Sequence, residues 1–451
     1  MPTTDCKPQL GFDFHPQGVV QVAFDAPRMS SDGGLLLLRQ AEARTGLIAS
    51  IAACIPDDRD ASRVHHSRDE QLRQRVFSIA MGYEDCNDAT ALRDDPMFKL
   101  ACDRGMGDAS LSSQPTLSRL ENAVDGRSLR SMIDVLERAY VDGLDEGTQA
   151  IVLDIDSTDD ATHGGQQLSF FHGFYDQYMY HPLLVFDGEG QLVTVLLRPG
   201  NAHGARSARG LLVRLVQRIK ARLPSVQIVV RADSAFAVPA LLDRLEQLDR
   251  EFGDVDYVIG LAKNSVLLRM AEEPMRHAEE LHRQGRAHVR HFSCFRYAAG
   301  SWDSERHVIV KAEHSARGEN PRFVVTTLHQ FDPKLIYDVG YCARGQCENY
   351  IKDFKVALMA DRLSCSRYVA NFFRLLSHAI AYRLMLEVRR AASRVAPAVA
   401  TMQMDTTRLR LLKVAASVSQ SVRRILVRLP ESFPLAAVFQ AVARALMPAP
   451  A

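Results

Sequence analysis

Between residues 150 and 262 the chain carries five short runs of β-type residues: IVLDIDST, HPLLVF, LVTVLL, VQIVVRAD and YVIGLA. The first three follow one another through turn residues. The last two are each preceded by a helical stretch, one over 206–223 and one opened by Pro239. Three sequential strands followed by alternating helix and strand describe an α/β fold, a mixed sheet with helices on its faces. Two of the runs end in acids, which places carboxylates at the rim of an otherwise apolar sheet.

The flanking sequence has a different texture. Residues 30–145 read as helical. Ser67 and Glu70 form a capping box, and Leu72, Val76, Ile79 and Ala80 then recur at helical spacing. In LSSQPTLSRLEN, Pro115 suits a first helical turn. That short polar helix fits the recognition helix of a helix-turn-helix, with Gln114, Thr116, Ser118 and Arg119 facing DNA; an ordinary solvent-facing helix has the same pattern. Residues 263–340 hold a polar helix and strand-like stretches at FSCFRYAA, RHVIVKAE and RFVVTTL, which read as a β-rich insertion. A further helix is expected from about Tyr341, then a long apolar-periodic one over 366–390. APAVATM then reads as a linker into a mixed C-terminal segment. The domains expected are therefore 1–149, 150–262, 263–340, 341–395 and 396–451.

Composition is that of a soluble globular protein, with 47% hydrophobic and 24% charged residues. The net charge is only +1, but it is unevenly placed: residues 361–430 carry thirteen Arg or Lys against three acids. That stretch suits phosphate contact or, equally, solvated helix and strand faces. The eight cysteines are scattered without a Cys-x-x-Cys pair, so neither a zinc pattern nor a disulfide framework is expected. MPTTDCKPQL lacks the signature of a secretory signal, and the greasy stretch 372–388 is broken by Arg374, His378 and Arg383. A cytoplasmic location without a membrane span is expected.

Asp154 and Asp156 lie two apart on one strand and so share a sheet face. Buried carboxylates need a partner, and a hard divalent cation is one; a loop mouth continuing into Asp159 and Asp160 is the other reading. Asp233 ends an apolar strand, a position that suits a ligand site or a helix cap. In YCARGQCENYIKDFK, Tyr341, Arg344, Glu348, Lys352 and Lys355 fall at steps of three and four and share one helix face. A plain surface ladder of opposite charges would look the same. Tyr350, Ile351, Phe354 and Leu358 form the apolar face.

Taken together, these elements resemble the DDE insertion-sequence transposases with an RNase H-like catalytic core, in the branch that carries a Y-R-E-K helix. Tyr341, Arg344, Glu348 and Lys355 match that motif with two, three and six residues between them. Asp156-Ser157-Thr158 matches the Asp-x-Thr of the first strand, and RADSAF the surroundings of the second acid. HHSRDEQLRQRVFSIAMGYEDCNDATALRDDP and SQPTLSRLEN look like one subgroup of these enzymes. The similarity runs from about Gly33 to Leu429.

The resemblance implies an RNase H-like mixed-sheet core with a β-rich insertion, preceded by a helical DNA-binding region. It implies that Asp156, Asp233 and Glu348 hold two Mg²⁺ or Mn²⁺ ions, with Asp154 as the alternative or auxiliary first ligand. Tyr341, Arg344, Lys352 and Lys355 would hold DNA, with Gln114, Thr116 and Arg119 on the recognition helix. The implied activity is cleavage at transposon ends and strand transfer into target DNA, by a homodimer on double-stranded DNA in the nucleoid. His163, His172 and His203 lack paired spacing and are expected to be ordinary histidines. Phe170, Phe171, Phe174 and Tyr175 are expected to pack.

Overall fold

The computed structural model describes residues 10–399 and 401–447; the residues MPTTDCKPQ, from the stretch that lacks the signature of a secretory signal, lie outside it. The described chain falls into two compact units. One is formed by parts of 1–44, 59–119 and 387–451, the other by 45–58 and 120–386. The last segment of the sequence thus completes the unit begun by the first, and the unit boundaries do not coincide with the expected division at 149/150. No helix among the described residues is long and apolar enough to cross a membrane.

The first unit is mainly helical, with α1 (Leu35–Thr45) and α2 (Arg68–Met81) among its helices. Ser67 caps α2 by accepting from the Glu70 amide at 3.1 Å. Glu70 itself does not close the capping box. Its carboxylate instead takes Arg104 at 2.7 and 2.8 Å and the His66 ring at 2.6 Å, because a charged fork outcompetes a backbone amide. The chain returns at its C-terminal end, where Lys413 donates to Asp32 at 2.6 Å and the Tyr83 hydroxyl donates to the same carboxylate at 3.0 Å.

The second unit is built on one nine-stranded sheet. In chain order its main strands are β1 (Ala150–Ser157), β2 (Leu183–Asp187), β3 (Leu192–Leu196), β4 (Gln227–Ala232), β5 (Val255–Leu261), β6 (His288–Tyr297), β7 (Arg306–Ser315) and β8 (Arg322–Thr326). Their order in space is β6-β7-β8-β5-β4-β1-β2-β3, with Gly318–Glu319 paired to β7. β1, β4 and β5 are mutually parallel, and every other pairing is antiparallel. All five runs read as strands over 150–262 are present.

The stretches read as an insertion do not stand apart. β8 pairs directly with β5, with Leu261 opposite Phe323 and Val258 opposite Thr326, and β7 and β6 continue the same sheet. An apolar run such as RFVVT is buried by ladder pairing wherever an edge is free, and the edge of β5 was free.

Strand alternation sorts the side chains. Ile151, Leu153 and Ile155 of β1, with Ile228 and Val230 of β4, point into a core closed by α4 (Ala208–Arg222) and α5 (Pro239–Phe252). Both helices present Leu at steps of three and four, and each fully buried Leu contributes about 1.5–3 kcal/mol. α3 (Gly126–Asp142) adds Tyr140 and Val141 to this core. The opposite sheet face carries Asp154, Asp156, Arg231 and Asp233. There Val258, Ile309 and Val324 pack against Ile336 and Tyr337 of a second helical layer.

That layer begins earlier than expected. Asp332 caps it, accepting from the Lys334 and Leu335 amides at 2.9 and 3.1 Å, and Pro333 occupies the first position. The helical path then runs without a break to Ala357, but with wide turns over Ile336–Tyr341 and Asp353–Ala357, a tight turn at Cys342–Arg344, and regular α-helix only over α6 (Gly345–Lys352). A long helix follows as α7 (Tyr368–Ser393). Its Tyr382 packs on Phe186 and Phe354 and donates to Gly190 O at 2.9 Å.

Candidate active site

The parallel strands β1 and β4 end side by side, and the helical layer crosses their ends. Asp154 and Arg231 are register partners on these strands. Arg231 donates to both oxygens of Asp154, each at 2.7 Å, in a pair that is almost wholly buried. Burial raises the Asp154 carboxyl despite the arginine. Both oxygens of this acid are therefore already engaged from within the sheet.

Asp156, one pleat further out, faces the helical layer. Its Oδ1 accepts from the Ser157 amide at 2.8 Å and its Oδ2 from Arg344 at 2.9 Å. Burial pushes its carboxyl up to about 6; Arg344 works against this and neighbouring Asp233 adds to it. Asp233 follows β4 directly, and its Oδ1 accepts from the Ala235 amide at 2.9 Å. The cap reading is thus realised with one oxygen of Asp233, on the same face as Asp156.

Arg344 also donates to Glu348 at 3.2 Å, and the Glu348 side chain is 66% exposed. Burial opposes the charge on Arg344, yet Asp156 and, after it, Tyr341, Asp233 and Glu348 hold its pKa above the usual value. Tyr341 lies against β5 at Gly260, where a Cβ would stand 2.5 Å from its hydroxyl. Burial raises that hydroxyl's pKa. Lys355 turns to the loop after β1 and donates to the Asp159 carbonyl at 2.7 Å and its carboxylate at 2.9 Å. Lys352 is exposed. Of the motif residues, Tyr341, Arg344, Glu348 and Lys355 are thus brought to the strand ends, by an irregular helix rather than a uniform α-helical face.

Gln114, Thr116 and Arg119 lie on the helix Gln114–Asn122. Arg119 is exposed, while Thr116 shares a hydrogen bond with Ser113 at 3.1 Å. His163 and His203 are exposed, and His172 stacks at 5.2 Å on Tyr175 and at 5.1 Å on His181.

The aromatic residues expected to pack do so only in part. Phe170, Phe171 and Phe174 are 40%, 50% and 86% exposed. Phe170 and Phe171 belong to a small sheet of Asp160–Ala161, Gln177–Tyr180 and Phe170–His172, where Phe171 and Tyr178 pair across the outer side at 5.7 Å, and Phe174 lies in the turn that joins its last two strands. A sheet this narrow buries Met179 and Tyr180 but leaves its other side to solvent.

Sequence reasoning did not single out Arg231, whose signal was a lone cation inside an apolar strand, or Asp159 as the partner of Lys355. It also missed a cavity of about 310 Å³ that reaches Ser234, the residue after Asp233. Its lining includes Gly260, Lys263, Arg322, Tyr337 and Tyr341, with no acidic side chain.

Carboxylates on two strand ends and a facing helix are the hard oxygen donors that suit Mg²⁺ or Mn²⁺. Among the described residues no three Asp, Glu, His or Cys side chains come together as a group able to hold a metal ion. The Arg344 guanidinium lies between Asp156 and Glu348 and supplies the positive charge there. The donor types fit a divalent cation.

A sheet with acids at adjoining strand ends, crossed by a Tyr-Arg-Glu-Lys helix, defines a class of protein. The model of the family described as transposase DDE domain, group 1, matches residues 13–451, and this chain belongs to that family. No curated protein matches it. Among solved structures it is similar to the piggyBac transposase in a synaptic complex with hairpin DNA, determined by cryo-EM, at 12% identity and a TM-score of 0.44, over 94% of this chain and 87% of that one.

Proposed function

We propose that this transposase cleaves DNA at transposon ends and joins the freed ends to target DNA, using Asp156, Asp233 and Glu348 as the metal-holding acids of an RNase H-like core. The observation that carries this reading is Arg344, which links the acid on central strand β1 to the acid on α6 through hydrogen bonds at 2.9 and 3.2 Å. An RNase H-like core has its first acid on the central strand, its second just after the fourth strand and its third on a later helix; the positions of Asp156, Asp233 and Glu348 support that assignment. Asp156 is preferred over Asp154 as the first ligand, since Arg231 engages both oxygens of Asp154.

When bound, two divalent ions supply activation of the attacking oxygen and stabilisation of the leaving one. The chain's own residues position the DNA. Arg344 offers a bidentate fork that can pass from the acids to a phosphate, and Lys355 and Lys352 are point charges beside it. Tyr341, held against Gly260, borders the 310 Å³ cavity with Lys263 and Arg322, whose charges suit a phosphate-bearing strand. Arg119, with Gln114 and Thr116, supplies the recognition helix for the terminal repeat. Two ends must be brought together, so the working form is a homodimer on nucleoid DNA.

The test is cleavage of a labelled duplex bearing the element's own terminal repeat, with Mg²⁺, by wild type and by Asp233→Ala. Metal-dependent nicking at the repeat boundary, lost in the variant, is expected. Nicking that survives Asp233→Ala overturns the assignment of the acids.

A further inference from the structure

Asp160 is only 1% exposed, and neither of its carboxylate oxygens has a hydrogen-bond partner. Equally buried acids of the same unit do not behave this way. Asp154 holds Arg231, Glu121 holds Arg374, and Glu137 holds Arg214 and Arg218. A buried carboxylate without a partner is among the costliest groups a fold can enclose, and each such group calls for an explanation.

Asp160 lines a small cavity with Thr158, Asp159, Lys355 and Asp361, about 10 Å³ in volume, which is room for one water-sized sphere. Charge balance decides what suits it. The only cation on its wall, Lys355, is committed to Asp159, at 2.9 Å from the carboxylate and 2.7 Å from the carbonyl. Asp159 is thereby neutralised. Asp361 has no ion pair among the described residues, so Asp160 and Asp361 face one small cavity with no counter-charge of their own, and burial, with Asp361 adding to it, raises the Asp160 carboxyl well above its ordinary value when no cation is there. Two carboxylates and the Thr158 hydroxyl are hard oxygen donors with the charge of one divalent cation.

We propose that Asp160 and Asp361 form a second cation site, distinct from Asp156, Asp233 and Glu348, which takes one hard divalent ion and ties the loop after β1 to the chain that follows the Lys355 turn. Asp160 opens the short strand that follows that loop, four residues beyond Asp156, and Asp361 lies just beyond the helical run that carries Glu348. An ion at this site fastens the two segments that deliver the first and third acids. Its existence does not depend on the proposed reaction.

The experiment uses the full chain with Asp156→Ala, Asp233→Ala and Glu348→Ala combined, titrated with Mn²⁺ while the free ion is followed by electron paramagnetic resonance. One Mn²⁺ bound per chain is expected, with a rise in the thermal midpoint. Adding Asp160→Asn should weaken that binding more than tenfold and remove the rise. Asp361→Asn, in case the first variant misfolds by circular dichroism, should do the same. Failure of the triple variant to bind Mn²⁺ overturns the proposal, as does undiminished binding in the Asn variants. A thermal midpoint that responds to pH but not to Mn²⁺ also overturns it, since a proton then occupies the carboxyl. Ions bound by wild type beyond those of the triple variant report separately on the catalytic acids.

Discussion

The Arg344 guanidinium joins Asp156 to Glu348, donating to one at 2.9 Å and to the other at 3.2 Å. One side chain from the helical layer thus balances an acid on the central strand and an acid on its own helix. The same fork geometry suits a phosphate, and under the proposed function Arg344 would exchange one anion for another.

Arg344→Lys tests that fork. A lysine keeps the charge but offers one nitrogen in place of the two that reach Asp156 and Glu348, so it cannot hold both acids in the present geometry, and cleavage at the terminal repeat should fall on the order of 10²-fold, as is usual when a positioning contact shifts by about 1 Å. In the absence of DNA, the affinity for Mn²⁺ should rise rather than fall, because the competing cation is held less firmly. Calorimetric titration checks the second outcome independently of activity; weaker Mn²⁺ binding would mean that Arg344 helps to build the metal site instead of standing in for its charge.

Asp154 and Arg231 should behave as a structural pair. Asp154→Ala leaves a buried guanidinium without a counter-charge and should cost about 3–5 kcal/mol in urea unfolding. Asp154→Leu combined with Arg231→Met should regain most of it and leave Mn²⁺ stoichiometry unchanged. Loss of one bound ion in a folded double variant would instead make Asp154 a ligand.

Gly260→Ala places a methyl group 2.5 Å from the Tyr341 hydroxyl and 3.1 Å from the Ser234 amide. Overpacking of this kind costs about 1–3 kcal/mol, and it should move Tyr341 enough to cut cleavage about 10-fold or more. Tyr341→Phe added to Gly260→Ala removes the clashing oxygen and should restore the unfolding midpoint though not the rate. A double variant no more stable than Gly260→Ala would show that the Ser234 side of the contact dominates.

His181 supplies a pH dependence. Its Nδ1 lies 2.8 Å from Ala202 O, and since a carbonyl only accepts, that nitrogen carries the proton. Burial pushes the imidazole down to about 4 from its usual 6.5, with Arg198 and His172 adding to the fall. The folded state therefore binds fewer protons than the unfolded chain between these values. The stabilisation is complete above pH 6.5 and is lost as pH falls towards 4. Urea unfolding at pH 7 and pH 4.5 should show wild type losing about 1–3 kcal/mol more than His181→Gln. Equal losses would place the acid sensitivity elsewhere.

The five strands over 150–262 were legible because apolar runs bounded by turn residues have few other ways to bury themselves. The helix Gly126–Asp142 carries its Asp125 cap in the chain, the helix Pro239–Phe252 its proline in the first turn, and both their apolar periodicity. Asp332-Pro333 was an equally local start signal, but the strand-like stretch before it drew the boundary too late. The wide turns at Ile336–Tyr341 and Asp353–Ala357 had no local signal. They adjust Tyr341 and Lys355 to Gly260 and Asp159, which are neighbours only in the folded chain.

The sequence by itself determined the types and spacing of the acids and of Tyr341, Arg344 and Lys355, because these are properties of a strand end and a helical segment. It also determined the apolar faces that bury them. Tertiary structure alone decided that Arg231 takes Asp154, that Arg344 stands between Asp156 and Glu348, that β8 extends the main sheet, and that Asp160 is buried without a partner. Charge and hydrogen bonding act over a few ångströms whatever the distance along the chain, so a carboxylate's partner becomes known only when folding has brought it near.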